Sequence, residues 1–303
     1  MKELAKPRLL TLVANPQSGG GRAGRNLPRV ASRLREALPT TEISIIRSTS
    51  WDDAGAQLLA AAQASRDGDM VIAMGGDGMV HLGLNACAHS EAQFGIIPSG
   101  TGNDFARALG IPTDIPDAVE VIAAGNSLRI DLAKVHNERG VQYVGAAVST
   151  GYDAIVNRAT NEARMPLGAL SYGYVALREL RNLEPMRYRI SIDGVERSLE
   201  AIAIVVCNTS TFGGGLRIAP DADPTDGVLD LTIIHPASTG KLLRLLPALY
   251  TGKLANHANI ERVAATRVTV DGDDMFAMGD GEELGGVPVE IESDPGALEV
   301  FVP

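Results

Sequence analysis

Apolar positions change their period once along the chain. Up to about residue 129, compact apolar runs at 9–14, 43–46, 70–74 and 94–98 suit strands buried on both faces. Between them Leu27, Val30, Leu34 and Leu38 recur at helical spacing, and residues 54–64 are rich in the helix formers Ala and Leu. Strand then helix, repeated, predicts a parallel α/β sheet. Beyond residue 130 the alternation shortens to two, at 190–192, 229–231, 268–270, 289–291 and 299–302, as half-buried antiparallel strands require. Asp193-Gly194 between two such runs predicts a hairpin. Helical stretches near 167–183 and 238–252 interrupt this half. The fold expected is therefore an α/β domain over 1–129 and a mostly antiparallel β domain over 130–303, with a hinge near 125–129.

Composition narrows the setting. The formal charge of −10 argues against a nucleic-acid binder and against whole-protein anchoring on anionic membranes. Cys87 and Cys207 are the only cysteines, both inside apolar runs, so they read as small buried hydrophobes in a reducing cytoplasm. No stretch reaches the ~18 apolar residues of a spanning helix, and the N-terminal apolar run reads as the first strand rather than a leader. A membrane contact would be peripheral, at the inner face. Lys241, Arg244 and Lys253 among leucines suit a lipid interface, but packing of that helix on its own domain is the favoured reading.

Glycines gather where strands should end, at 15–24, 75–78, 98–104 and 212–215. At the C-terminal edge of a parallel sheet such turns let backbone N–H groups approach an anion. Asp77 lies in the second turn, and Thr101, Asn103 and Asp104 lie in the third. Either acid alone reads equally as a residue at the start of the next helix; two such turns one strand apart favour a ligand site.

With NPQSGGGRAG, GGDG, PSGTGNDFARALGIP, GGGLRIAPDADPTDGVLDL and GDGEELGG in this order, the chain resembles the diacylglycerol kinase catalytic-domain family, which includes bacterial lipid kinases and sphingosine kinases. The resemblance covers nearly the whole chain. It implies an NAD-kinase- and phosphofructokinase-like ATP domain, a β-sandwich domain, and a cleft in which ATP meets a lipid acceptor. By motif, Asn15, Gly75, Gly76, Asp77, Gly78, Met79, Thr101 and Asn103 would surround ATP, with Ser48 or Thr49 adding a polar contact. Asp104 and Asp131 match acids that form a water and metal network with Asp77. Magnesium would fall at Asp223, Asp226 and the Val228 carbonyl. Glu282 matches the proton acceptor, with Asp280 beside it. Two positions depart from the pattern: Met79 stands where the family has Thr, and Leu82 where it has an acid. His81 between them reads as an incidental surface histidine.

The residue types suit the chemistry. Phosphoryl transfer to a hydroxyl needs phosphate positioning, charge neutralisation and an acceptor for the hydroxyl proton. Glycine turns supply amides, carboxylates hold Mg²⁺, and a carboxylate takes the proton. Asp280 and Glu282, two apart, would face the same way in an extended strand. Asp223 and Asp226, in a Pro-bracketed loop without Lys or Arg, suit a hard cation.

Competing readings are weaker. Gly19-x-Gly21-x-x-Gly24 matches a dinucleotide fingerprint, but the second strand ends without the acid a ribose needs. There is no GK[ST], no GxSxG, and no zinc spacing among the five histidines. An NAD-kinase-like enzyme with a non-lipid acceptor and a degenerate nucleotide-binding regulator are the remaining alternatives. A homodimer is compatible with the sequence, which does not specify oligomeric state.

Overall fold

The computed structural model of the chain describes residues 7–163, 170–179, 184–252 and 257–303. Two compact units emerge, Met1–Ile130 with Gly296–Pro303, and Asp131–Pro295. The 130–303 partition expected from periodicity differs from this at its end. The last eight residues group with the first unit because the final strand turns back into its sheet.

In the first unit β1 (Leu9–Ala14), β2 (Glu42–Arg47), β3 (Met70–Gly75) and β4 (Gln93–Pro98) run parallel in the order β2-β1-β3-β4. The last strand of the chain, β16 (Val289–Phe301), registers Val300 against Phe94 of β4, also parallel. β1, β3 and β4 are buried almost throughout, as their unbroken apolar runs predict. β2 corrects that reading. It has one neighbour, and its side chains are exposed or half-buried, because it is the edge of the sheet.

Alternation along the strands sends Leu10, Leu12, Met70 and Ile72 to one face. There they pack on α1 (Ser18–Ala37), through Leu27, Val30 and Leu34, and on α5 (Ile115–Ala124), through Val119 and Ile122. Leu38 caps α1 rather than extending it. α2 (Trp51–Ala64) and α3 (Asp77–Cys87) pack together, and Gly83 of α3 lies so close to the Phe94 ring that a Cβ would sit 2.4 Å from it. α4 (Asp104–Ala108) is a single short helix after β4. Because the strands are parallel, the loops after β1, β2, β3 and β4 open at one edge of this sheet, and the order reverses between β1 and β3.

The second unit is antiparallel, as its period of two predicts. β13 (Arg267–Gly272) pairs with β16 on one side and β8 (Met186–Ile192) on the other, and β8 pairs with β9 (Val195–Ala201). Asp193-Gly194 joins β8 to β9 with φ of 47° and 86°, the primed turn that a DG hairpin favours. β5 (Ser127–Asn137) pairs with β6 (Gly140–Val144). The second sheet runs β12 (Ile260–Ala265), β11 (Leu229–Ile234), β10 (Ala203–Cys207), β7 (Ala147–Gly151), β14 (Phe276–Gly279) and β15 (Glu282–Gly286). Both sheets contribute to one core, with Val268, Val270 and Ile291 from the first and Val206, Leu229 and Leu231 from the second. This is sheet-on-sheet packing.

Periodicity did not reveal α6 (Tyr152–Ala163), whose polar residues dilute its apolar stripe. Of the stretch expected near 167–183, α7 (Leu170–Glu179) is observed, and the remainder lies outside the described residues. α8 (Thr239–Thr251) has Ser238 and Gly252 as its caps, matching expectation, with Leu242 buried and Leu243 exposed; Lys253 lies outside the described residues. No helix among the described residues is long and apolar enough to cross a membrane.

Candidate active site

Three glycine turns of the first unit are locked together by backbone contacts. Asn15 closes the turn after β1, its Oδ1 accepting from Gln17 N at 3.0 Å. Gly19 has φ +61°, and a Cβ there would sit 2.0 Å from the Ser99 carbonyl. Only glycine permits that approach. Likewise a Cβ on Gly100 would meet Gly76 Cα at 2.3 Å, so the turns after β3 and β4 touch backbone to backbone.

Asp77 ties these turns chemically. One carboxylate oxygen accepts from Asn103 N at 2.8 Å and the other from Asp104 N at 2.7 Å. It opens α3 but serves the start of α4, so GGDG and GTGND form one assembly. Asn103 is buried and holds the same loop closed, accepting from Gly100 N at 3.0 Å and donating to Gly100 O at 3.1 Å. Thr101 is exposed at the loop tip. Ser48 is buried and donates to Ala14 O, whereas the Thr49 hydroxyl donates to Asp53 Oδ2 at 3.0 Å. That backbone and hydroxyl donation from Thr49, with Gln57, pulls the Asp53 carboxyl below its ordinary range.

The family departures have a packing reason here. Met79 is 3% exposed and folds over Gly75, and Leu82 reaches Gly55 of α2. His81 corrects its reading as a surface residue. It is 7% exposed and pairs within α3 with Asn85, whose Nδ2 donates to its carbonyl at 2.9 Å.

Sequence reasoning missed the cations. Beside the 98–103 loop lies a cavity of about 410 Å³ whose lining includes Arg22, Arg29 and Arg107, with Asp114 the single carboxylate among the described residues. Arg22 braces the loop through Gly100 O at 2.7 Å. The GGGR and DFAR strings placed two of these arginines near the turns, but α1 and α4 had to fold before they lined one cavity.

In the second unit Asp131 is 4% exposed and meets the expected metal loop. Its Oδ2 accepts from Gly227 N at 2.7 Å, and its own N–H donates to Pro224 O at 2.7 Å. Asp223 and Asp226 are exposed; each turns one oxygen back on the loop, toward Thr225 and Val228 N respectively. No third carboxylate, histidine or cysteine joins them among the described residues. The donors are all oxygen, and burial together with the charges of Asp226 and Asp221 raises the neighbouring Asp230 carboxyl, with Arg262 opposing. An all-oxygen donor set in an acidic loop fits a hard cation, although Arg262 already pairs with Asp221 at 3.4 Å.

Asn208, also missed, is 1% exposed and donates through Nδ2 to Asp131 O and Gly145 O, both at 2.9 Å. The adjoining turn then holds Asp280, whose two oxygens accept from Gly145 N at 2.8 Å and Ala146 N at 2.7 Å. Asp280 therefore corrects its expected geometry. With φ of 51° and 89°, Asp280-Gly281 forms the turn between β14 and β15, and Gly279 registers with Glu282. Asp280 and Glu282 do not share an extended strand. Glu283 is bound to Arg139 at 3.1 Å and Arg158 at 3.0 Å. Asp77 and Asp104 are thus brought together in the first unit, and Asp131 and Asp280 join one polar network in the second.

Comparison with known proteins follows this division. Residues 9–135 match the model of the diacylglycerol kinase catalytic domain, and residues 146–302 that of the YegS C-terminal NAD kinase beta sandwich-like domain. The chain is 34% identical to a protein named diacylglycerol kinase from Mycobacterium tuberculosis, covering 97% of this chain and 95% of that one. It is 30% identical to one of the same name from Bacillus subtilis, covering 96% and 95%. A crystal structure from Bacillus anthracis described as a diacylglycerol kinase superposes with a TM-score of 0.74 at 22% identity, covering 99% and 98%, and shares the fold.

Proposed function

This chain belongs to the diacylglycerol kinase catalytic-domain family, and on that premise we propose that it transfers the γ-phosphate of ATP to the hydroxyl of a diacylglycerol-like lipid. The observation that carries the reading is the Asp77 carboxylate accepting both Asn103 N and Asp104 N, which joins the two glycine turns at the open edge of a parallel sheet.

That assembly suits a triphosphate. Exposed Thr101 and glycine-turn amides can hydrogen-bond phosphate oxygens, and Arg22, Arg29 and Arg107 supply positive charge beside the loop. Asp223, Asp226 and the Val228 carbonyl would hold Mg²⁺, which when bound neutralises local negative charge. In the reaction the acceptor oxygen bonds to the γ-phosphorus, the bond from that phosphorus to the bridging oxygen breaks, and ADP leaves. Glu282 takes the hydroxyl proton. Asp104 is assigned to keeping Asp77 in place within the first unit, and Asp131, with Asp280, whose oxygens both accept backbone N–H groups, to holding the polar network of the second.

A second reading, a nucleotide binder without turnover, rests on Met79, which places a buried thioether where the family has a hydroxyl. Phosphate transfer by the unmodified chain decides between the two, and Glu282→Gln tests the proton acceptor. Substitution should lower ATP-dependent phosphate transfer to extracted lipids by at least ~100-fold, within the range of general-base losses, and leave nucleotide affinity intact by calorimetry. Unchanged transfer rejects Glu282 as proton acceptor. ATP binding by the unmodified chain with no transfer to any lipid class establishes the second reading.

A further inference from the structure

The turn that carries Glu282 is held from outside its own hairpin by α6. Asn161 Nδ2 donates to Gly281 O at 2.7 Å, and this is the carbonyl of the peptide leading into Glu282. Three residues earlier, so on the same face of the helix, Arg158 lays its guanidinium over the Phe276 ring at 3.2 Å from the centroid. The same guanidinium reaches Glu283 Oε2 at 3.0 Å. Phe276 opens β14 and Glu283 follows the turn in β15, so α6 touches the hairpin before the turn, at its tip and after it.

The other side of the tip is held as firmly. Asp280 accepts the N–H groups of Gly145 and Ala146, and Arg139 adds a bond to the Glu283 carbonyl at 3.0 Å. Two of the three acids in GDGEE are thereby braces. A type I′ tip with both central residues at positive φ has little conformational choice of its own, so what varies is the tilt of its carbonyls. Asn161 fixes the one that sets the Glu282 backbone.

We propose that Asn161 is a positioning residue for the phosphate transfer, acting through the Gly281–Glu282 peptide, with Arg158 bracing the same turn through Glu283 and Phe276. The inference rests on the reading of Glu282 as proton acceptor. A displacement of about 1 Å at a reacting group can cost on the order of 100-fold in rate, so loss of one anchoring bond is enough to be read kinetically.

The test is a double-mutant cycle on the full chain, using Asn161→Leu, which keeps the volume and removes the donor. Asn161→Leu should lower kcat about 10- to 100-fold while ATP affinity and thermal midpoint stay near the unmodified values. Asn161→Gln, which retains a donor, should recover part of the loss. In the Glu282→Gln background, measured by long incubation with radiolabelled ATP, adding Asn161→Leu should change nothing further, because the residue acts through Glu282. An equal loss in both backgrounds, or full turnover in Asn161→Leu alone, overturns the proposal. Full turnover in Glu282→Gln alone removes the proton-acceptor reading instead, so the two failures are distinguishable.

Discussion

Asp77 shows how one side chain can look like two things in a sequence. GGDG offers an acid at a helix start, where a capping role is ordinary. In the fold both oxygens are engaged by the N–H groups of the next strand's loop, 26 and 27 residues away. Asp77→Asn preserves the shape but turns one acceptor into a donor facing an N–H group. It should destabilise the first unit by about 1–3 kcal/mol, the cost of leaving a part-buried group unpaired, and weaken ATP binding. Trp51, the only tryptophan, lies in that unit and reports its unfolding by fluorescence. An unchanged denaturant midpoint would show that the bonds carry no net stability. Cys87 belongs to this scale as well: burial pushes its thiol up to about 12, in keeping with a packing role.

At the scale of elements, the sandwich is tied across its open edges. Arg197 on β9 pairs with Glu261 on β12 at 2.6 Å, and His235 reaches the same carboxylate at 3.0 Å. β9 ends one sheet and β12 ends the other, so this cluster joins strands that share no backbone pairing. The Arg197 hydrogen bond is the main cause that holds the Glu261 carboxyl near 2 rather than 4.5, with His235 adding to it. A depressed carboxylate contributes stability that is complete above its ordinary value and is lost as pH falls toward the folded one. Glu261→Gln should therefore be less stable than the unmodified protein at neutral pH, with the gap closing between pH 4.5 and about 2. Denaturant titrations across that range check it, and a gap independent of pH would refute the coupling. Because both side chains remain about one-third exposed, solvent screening should keep the effect small.

For the whole molecule, the route of the chain matters more than any single contact. The chain leaves the first unit along β5 and returns along β16. The returning segment is stitched in by His89 N to Ala297 O, Val302 N to Asn126 O, and Glu299 accepting from Gln93 and Ser127. Phe301, two residues from the end, is 1% exposed in the first unit's core. Phe301→Ala should cost that unit about 3–5 kcal/mol despite its terminal position, measured through Trp51 fluorescence. A loss below ~1 kcal/mol would mean the tail is a loose appendage, since surface sites rarely exceed that.

Local patterns were enough to read the two fold types, because periods of 3.6 and 2 are properties of neighbouring residues. They also located the DG hairpin and the glycine turns, where a special φ demands a special residue. What they could not decide was anything set by packing between distant segments. β2 became an edge strand because no described strand pairs beyond it, and Met79 and His81 turned inward because α3 packs on the sheet. Asp280 left the face expected for it when its turn closed. The bond from Arg22 to Gly100, and the roles of Asn208 and Asn161, carry no local signature. Their partners lie tens to more than a hundred residues away, so only the folded chain brings donor and acceptor within bonding distance.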